Sequence, residues 1–393
     1  MIDENLKQFA TETQWKYYTA VEEYGSHRKA AAALGVSRSA IQQAVQALSA
    51  RAAKRGYAPE HDLTHTTAET QRLKGTSTLY KGTEGDPYAL QWVKTDIDRE
   101  AAQNATLAAI EAACEGIKPA KPVPAPKQAD KDLATLYTIT DFHLGMYAWG
   151  QETGGDWDIK IAEQVLINAI GEMADSSPDA ETGVFCQLGD FLHWDGLDAV
   201  TPANKNILEA DTRYDMLAEL AISLCISAID LLLRKHKRVV VFICEGNHDL
   251  AGSVWLRKSV KRHYANEKRV EVDDTSFPFY AYLHGETLLG FHHGHKVKNK
   301  SLPGLFASEP RYRPLWGAAT RTYIHTGHYH RTEQDKSEDG GAVVERHNTL
   351  AARDAYATRG GWVSNRSAQA ITYHAKRGEI SRTVVQPRYQ DEI

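Results

Sequence analysis

A chain of 393 residues is longer than one hydrophobic core ordinarily organises, so two or more domains are expected. With 42% hydrophobic and 25% charged residues it reads as a soluble globular protein; the net charge of −5 says little, because the charge is unevenly distributed. No apolar run approaches the ~20 residues of a membrane span, so no membrane partner is expected.

The N-terminal stretch MIDENLKQFATETQ carries acidic residues and no apolar core, unlike a signal peptide. Cys114, Cys186, Cys225 and Cys244 form no C-x-x-C pair, and three of them lie in apolar runs. They read as buried, reduced thiols of a cytoplasmic protein.

In chain order, Thr13–Tyr24 has a helical pattern with Trp15, Tyr18 and Val21 on one face, and Ser26–Leu34 is a short alanine-rich helix closed by Gly35. Ser37 is a good cap for a third helix, Arg38 to about Arg55, with Ile41, Val45 and Leu48 on its apolar face. Helix, glycine turn and helix make a helix-turn-helix pattern. The third helix then turns Arg38, Ser39, Gln42, Gln43 and Gln46 outward, and Arg and Gln are types that read guanine and adenine edges. From Gly25 to Pro59 there is no Asp or Glu, whereas Arg28, Lys29, Arg38, Arg51, Lys54 and Arg55 are basic, a local footprint for DNA. ALGVSRSAIQQAVQAL resembles helix-turn-helix segments of bacterial and phage DNA-binding proteins, over about the first 58 residues.

Residues 59–115 form a connector to which no chemistry is assigned. Leu73–Lys81 and Tyr88–Lys94 alternate as a β-hairpin around Gly82–Pro87, and Thr95 caps an alanine-rich helix from Asp96 to about Cys114. Gly116–Asp132 is a Pro/Ala/Lys linker without a core, which sets a domain boundary near residue 132.

From Leu133 strands alternate with helices, the α/β signature, and after about Arg269 the pattern turns mostly to strands. Two packed sheets with helices outside are expected over 133–393.

Within this half, Asp and His recur at the ends of apolar runs. Val239–Leu250, VVVFICEGNHDL, is a buried strand that breaks at Gly246 and delivers Asn247, His248 and Asp249. Thr140–Leu144 is TDFHL, Leu188–His193 is LGDFLH, Phe291–Gly294 is FHHG and Thr326–His330 is TGHYH. Strand ends are where open α/β sheets place their chemistry. Asp141, His143, Asp190, Asn247, His293, His328 and His330 offer carboxylate, imidazole and amide donors but no thiolate, a mix suited to Mn, Fe or Zn. They are too many for one ion that must also bind substrate, and they suit two ions sharing a bridging carboxylate. Two carboxylates and a hydroxide leave two divalent ions still positive, which favours an anionic substrate such as a phosphate ester. Lys296, Lys298, Lys300, Arg311 and Arg313 follow closely as candidate phosphate partners, and Trp194 and Tyr329 as candidate stacking residues.

In this order D-x-H, G-D-x-x-H, G-N-H-D, H-G and G-H-x-H resemble the five motifs of the calcineurin-like metallophosphoesterases, over about Leu133 to the C-terminus. The resemblance implies an α/β fold: a β-sandwich flanked by helices, with a two-metal site at the strand ends. It implies that Asp141, His143 and His330 hold one metal, that Asn247, His293 and His328 hold the other, and that Asp190 bridges. His248 becomes the general acid and phosphate contact, with Asp249 orienting it. FHHGH also offers His292 and His295, but His293 directly precedes Gly294 as the motif requires. His193 is expected to orient a ligand from behind. Two divalent ions follow as cofactors, manganese first, with iron, zinc, nickel or magnesium as alternatives.

The expected function is a di-metal phosphodiesterase, foremost a DNA nuclease recruited to duplex DNA by residues 1–58. The joining of the two halves resembles phage or prophage proteins. One alternative is a phosphodiesterase or phosphatase acting on small phosphoesters or cyclic nucleotides. Another is a DNA-binding or packaging adaptor with a secondary phosphoesterase half. DNA and a phosphoester are the expected partners, with a homodimer as one option.

Overall fold

The structure is a computed structural model that describes residues 2–58, 63–64, 71–83, 86–97, 108, 118–202, 206–330 and 339–387. The chain forms two compact units, Met1–Ala105 and Thr106–Ile393.

In the first unit the helix ends are set by capping residues. α1, Glu12–Tyr24, opens on a capping box: the Gln14 amide donates to the Thr11 hydroxyl and the Thr11 amide donates to the Gln14 side chain. α2, His27–Leu34, and α3, Arg38–Lys54, start on Ser26 and Ser37, whose hydroxyls accept from the amides of Lys29 and Ala40. Gly35, left-handed at φ 67°, ends α2 and turns the chain into α3. Small side chains at Ala20, Ala30 and Ala31 let the helices close around Ile41, and a second cluster joins Phe9, Leu48, Ala52 and Tyr57. Arg38, Ser39, Gln42, Gln43, Gln46 and Lys54 are exposed on α3, and Arg55 just beyond it is half-buried. Arg51, also exposed, donates to the Phe9 carbonyl at 2.8 Å and to Gln14 Oε1 at 3.0 Å.

β1, Tyr57–Ala58, pairs with β2, Leu63–Thr64. β3, Gln71–Thr83, and β4, Asp86–Ile97, form one long antiparallel ladder. Asp96 and Ile97 belong to β4, held there by pairing with Arg72 and Gln71, rather than to a helix. Apart from Ala108, the rest of the helix expected up to Cys114 lies outside the described residues.

In the second unit, residues 118–129 have no helix or strand, yet they are not a coreless linker. Ala120 and Val123 pack on the core, the Ala120 amide donates to the His263 carbonyl at 3.1 Å, and Arg269 Nη1 donates to the Val123 carbonyl at 2.6 Å. The small apolar residues between the prolines find a hydrophobic surface, so the expected free linker is corrected over its described part. Then follow β5 Asp130–Ile139, α4 Gly150–Thr153, α5 Ile159–Ser176, β6 Ala180–Gln187, α6 Tyr214–Lys235, β7 Arg238–Ile243, α7 Leu250–His263 and β8 Val270–Val272. After these come β9 Tyr280–His284, β10 Thr287–Phe291, α8 Leu302–Ser308, α9 Arg313–Ala318, β11 Arg321–Thr326, β12 Val343–Arg346, α10 Ala355–Arg359, β13 Ala368–His374 and β14 Gly378–Val385.

Two mixed sheets stack, in the orders β14-β13-β5-β6-β7-β8 and β12-β11-β10-β9. β5 to β8 are parallel and adjacent in sequence order, so their crossovers leave α5, α6 and α7 on one face. Alternation along the strands builds both sides of the sheet. Leu136, Val184, Cys186, Val240 and Phe242 meet Leu289 and Phe291 of the second sheet, whereas Tyr137, Phe185, Val239 and Val241 face the helices. α8 and α9 cover the outer face of the second sheet around Ile324 and Val344. The unit is a sandwich of two mixed sheets flanked by helices. Cys186, Cys225 and Cys244 are free and buried.

α6 corrects one expectation. This 22-residue helix is long and apolar enough to cross a membrane. Here it is a core helix that buries Leu217, Ala221, Ile229 and Leu232.

Candidate metal centre

All seven expected donors lie where strands end. Asp141 and His143 follow β5, Asp190 follows β6, and Asn247 to Asp249 lie between β7 and α7. From the second sheet, His293 follows β10 and His328 and His330 follow β11. The C-terminal ends of the parallel strands therefore meet at one rim.

The backbone there is strained. Among the described residues, the non-glycine positions with positive φ are Asp141 (49°), His143 (48°), Asp190 (52°), His328 (77°) and His330 (53°). Each such position costs on the order of 1–3 kcal/mol and persists only where its surroundings over-determine it. The ties are visible. The Asp141 amide donates to the Gly189 carbonyl and the His143 amide to the Asp190 carbonyl, both at 3.0 Å. The His328 amide donates to Asp141 Oδ2 at 2.8 Å, and the Thr349 hydroxyl to the Asp141 carbonyl at 2.5 Å.

Two donor sets share Asp141. In one, Asp141, Asp190, His293 and His328 each bring a ligand atom within 4.8 Å of the others; in the second, Asp141, His143 and His330 do so. His293 Nε2 is 3.0 Å from Asp190 Oδ2 and 3.3 Å from Asn247 Oδ1. His330 Nε2 is 3.3 Å from Asp141 Oδ1 and 3.0 Å from His143 Nε2. Two donors each about 2.1 Å from one ion lie roughly 3.0 Å apart at a right angle and roughly 3.4 Å apart at the tetrahedral angle. The observed spacings fit a shared cation. Asp141 Oδ1 and His328 Nδ1 are buried and make no hydrogen bond, and Asp141 Oδ1 faces His330 Nε2 within the cluster.

The electrostatics agree. Burial alone would raise the carboxyls of Asp141 and Asp190. The imidazoles of His293 and His330 around the first, and of His293 and His248 around the second, outweigh it and hold both well below the usual range. Burial would likewise lower His293, but Asp190 and Asp141 push it up to about 10. Two buried carboxylates thus draw in whatever positive charge is at hand. The donor set therefore suits two divalent ions.

His293, not His292, reaches Asp190: His292 stacks on Phe279 at 4.5 Å and accepts from the Gly294 amide. His295 stands behind, its ring 5.3 Å from that of His293. His193 lies with its Nδ1 3.2 Å from His143 Nδ1, and His248 donates from Nδ1 to the His193 carbonyl at 2.7 Å. The hydrogen bonds of Asp249 go to backbone amides rather than to His248. Its buried carboxylate accepts from the amides of Gly246, Asp190, Phe191 and Leu192, knotting the loops after β6 and β7 together. The four amides belong to these loops, not to the first turn of α7.

A cavity of about 1030 Å³ opens over the cluster and is lined by His143, His193, His248, His328 and His330. Lys296, Lys298, Lys300, Arg311 and Arg313 are exposed and do not line it, whereas Arg353, Tyr356 and Trp362 do, and sequence reasoning singled out none of these three. Trp194 is buried, packed over Gly145. Tyr329 is at the cavity with the Arg346 guanidinium 4.4 Å from its ring centre. His325 and His347 form a further buried donor group with Glu345. There the donors are already engaged: the imidazoles with each other, Thr138 and Tyr373, and the carboxylate with Arg382 in a bidentate pair.

The glycines in these motifs have a steric reason. A Cβ on Gly246 would sit 2.0 Å from Asp190 Oδ1 and 2.2 Å from its backbone nitrogen, and one on Gly327 would sit 1.9 Å from the Thr140 hydroxyl. Gly246→Ala is expected to displace Asp190 and lower bound divalent metal, read by elemental analysis. Gly171→Ala, in α5 with nothing near its Cβ position, is the control and should raise stability by about 0.5–1 kcal/mol in thermal unfolding. Equal metal content in both variants would refute the close-approach explanation.

No family model matches the sequence. No curated protein matches it. Among solved structures, the chain is similar to a dimetal phosphatase from Danio rerio, at 9% identity over 66% of this chain and 100% of that one, with a TM-score of 0.33, too slight a likeness to carry an argument.

Proposed function

We propose that this chain is a di-metal phosphoesterase that hydrolyses phosphodiester bonds, with DNA as its substrate. The observation that carries the reading is two donor sets joined through Asp141, one of which also contains Asp190, at strained strand ends below an open cavity. Asp141, His143 and His330 would hold one ion and Asn247, His293 and His328 the other, with Asp190 between them; manganese is the expected metal, and iron, zinc, nickel and magnesium are the alternatives. Bound there, two divalent ions supply a hydroxide near neutral pH and positive charge facing an anionic ester. His248 lines the cavity beside them. A carbonyl only accepts, so His248 Nδ1 carries a proton and Nε2 is the atom that gives or takes one. That is the position of a general acid for the leaving oxygen.

The test compares bis- and mono-p-nitrophenyl phosphate, then plasmid and oligonucleotide, with manganese and with chelator. Diester hydrolysis that chelator abolishes supports the reading. Cleavage of the small esters alone would shift it to a small-molecule phosphoesterase. No cleavage of any ester would leave the adaptor reading.

Recruitment to DNA by residues 1–58 is the second half of the proposal. Arg51 is exposed but already donates to the Phe9 carbonyl and to Gln14; of the other basic residues between Gly25 and Pro59, Arg28, Lys29, Arg38 and Lys54 are exposed. If all four meet phosphates, log K against log salt should fall with a slope of about −3.6. Arg38→Ala or Gln42→Ala should blunt sequence preference, whereas Lys54→Ala should weaken all sequences alike. A flat salt dependence in fluorescence anisotropy would exclude this module from DNA recruitment.

A further inference from the structure

The cavity over the metal centre has an aromatic shelf. Tyr356 and Trp362 line it together with His143, His248 and His330, and they are 73% and 55% exposed. Their ring centres are 5.3 Å apart and their planes meet at 68°. Large aromatic side chains at such exposure leave apolar area in water, which is notable where they border a polar site.

The shelf is also built to stay open. Asp354 caps α10 through the Ala357 amide at 2.7 Å. The Gly360–Gly361 turn then folds the chain back, with Gly361 left-handed at φ 68° and the Trp362 amide donating to the Ala357 carbonyl at 3.0 Å. A Cβ on Gly360 would lie 3.0 Å from the indole, so the ring rests on bare backbone. Arg359 pairs with Glu152 at 3.0 Å, and Arg353 donates to the Thr153 carbonyl, bracing α10 against α4. The backbone that carries the two rings is therefore braced ahead of any ligand.

We propose that Tyr356 and Trp362 form a nucleobase subsite, so that the substrate is a phosphoester carrying an unstacked base. This rests on the phosphoesterase reading for the neighbouring centre. A planar base can stack on one ring and meet the edge of the other. Bases inside a duplex have both faces covered by their neighbours, so only a free nucleotide or a single-stranded end or loop can use the shelf.

The test reads binding to the full, manganese-loaded chain by calorimetry. The probes are adenosine 5′-phosphonate, whose C–P bond is not hydrolysed, and methylphosphonate, which lacks the base. The nucleoside phosphonate should bind about 5- to 100-fold more tightly. Trp362→Ala or Tyr356→Ala should remove most of that advantage without changing methylphosphonate binding. Trp362→Phe should keep it, because a ring remains. Equal affinity of the two probes for the unaltered chain, no measurable binding of the nucleoside phosphonate, or indifference to both alanine variants would overturn the proposal. Hydrolysis of methyl p-nitrophenyl phosphate by the unaltered chain is measured separately. Its absence would count against the phosphoesterase reading, while the base subsite stands or falls on the binding data. A single-stranded oligonucleotide against its duplex then identifies the source. A KM raised by Trp362→Ala on the single strand assigns the base to a strand end or loop, and an unchanged one, with the phosphonate still affected, assigns it to a free nucleotide.

Discussion

Asp190→Asn is expected to lower bound metal from two ions towards one or none and to reduce diester hydrolysis by at least about 10²-fold. Asp190 is fully buried, with Oδ2 3.0 Å from His293 Nε2 and Oδ1 accepting the His248 amide at 2.7 Å. Asparagine preserves the volume and one acceptor, so the loop packing against Gly246 survives and the fold should melt cooperatively. What disappears is one of the two carboxylates that neutralise the cluster. It is also replaced on one side by an amide NH₂ or a neutral oxygen facing His293. The measurements are metal content by elemental analysis, hydrolysis with saturating manganese, and the unfolding transition. Unchanged stoichiometry in the folded variant, or full activity of the unaltered chain in chelator, would remove the two-ion reading.

His248→Ala is expected to behave differently: both ions retained, with kcat lower by about 10²–10⁴-fold. Asn247 offers the ligand atom from this loop, 3.3 Å from His293 Nε2, so the imidazole of His248 is not needed to hold metal. The loss should shrink for esters whose leaving group has a low pKa, since such groups need little protonation. A series of aryl phosphodiesters reads this directly. The same loss on good and poor leaving groups would make His248 a stabiliser of charge rather than a proton donor, and lost metal would make it a ligand.

Much of the second unit was legible because its signals are local. A buried strand such as Val239–Ile243 announces itself by composition, and a donor just past its end must lie at the sheet rim. Five repetitions of that arrangement brought seven side chains to one place. What stayed hidden depended on tertiary contact. The carboxylate of Asp249 could have served His248 or the backbone, and only the approach of the loop after β6 decides for the amides. Tyr356 and Trp362 sit on a helix of five residues and a glycine turn, too short for any periodicity. Residues 118–129 read as a free linker because prolines and lysines dominate, while the two residues that matter, Ala120 and Val123, are small. The apolar run of α6 was underestimated because scattered polar residues such as Glu219 and Asp230 interrupt it. Arg51 looked like its basic neighbours, and nothing local distinguishes a cation that turns back to the Phe9 carbonyl.

The positive φ of Asp141, His143, Asp190, His328 and His330 sets fold and activity at odds. Glycine would relax each of these positions and remove its donor in the same stroke. At His330, whose side chain is 40% exposed, the chain would gain stability by giving up its chemistry, and the inactive form would be the hardier protein. The raised melting point of a dead variant would then mark a working site rather than a repaired defect.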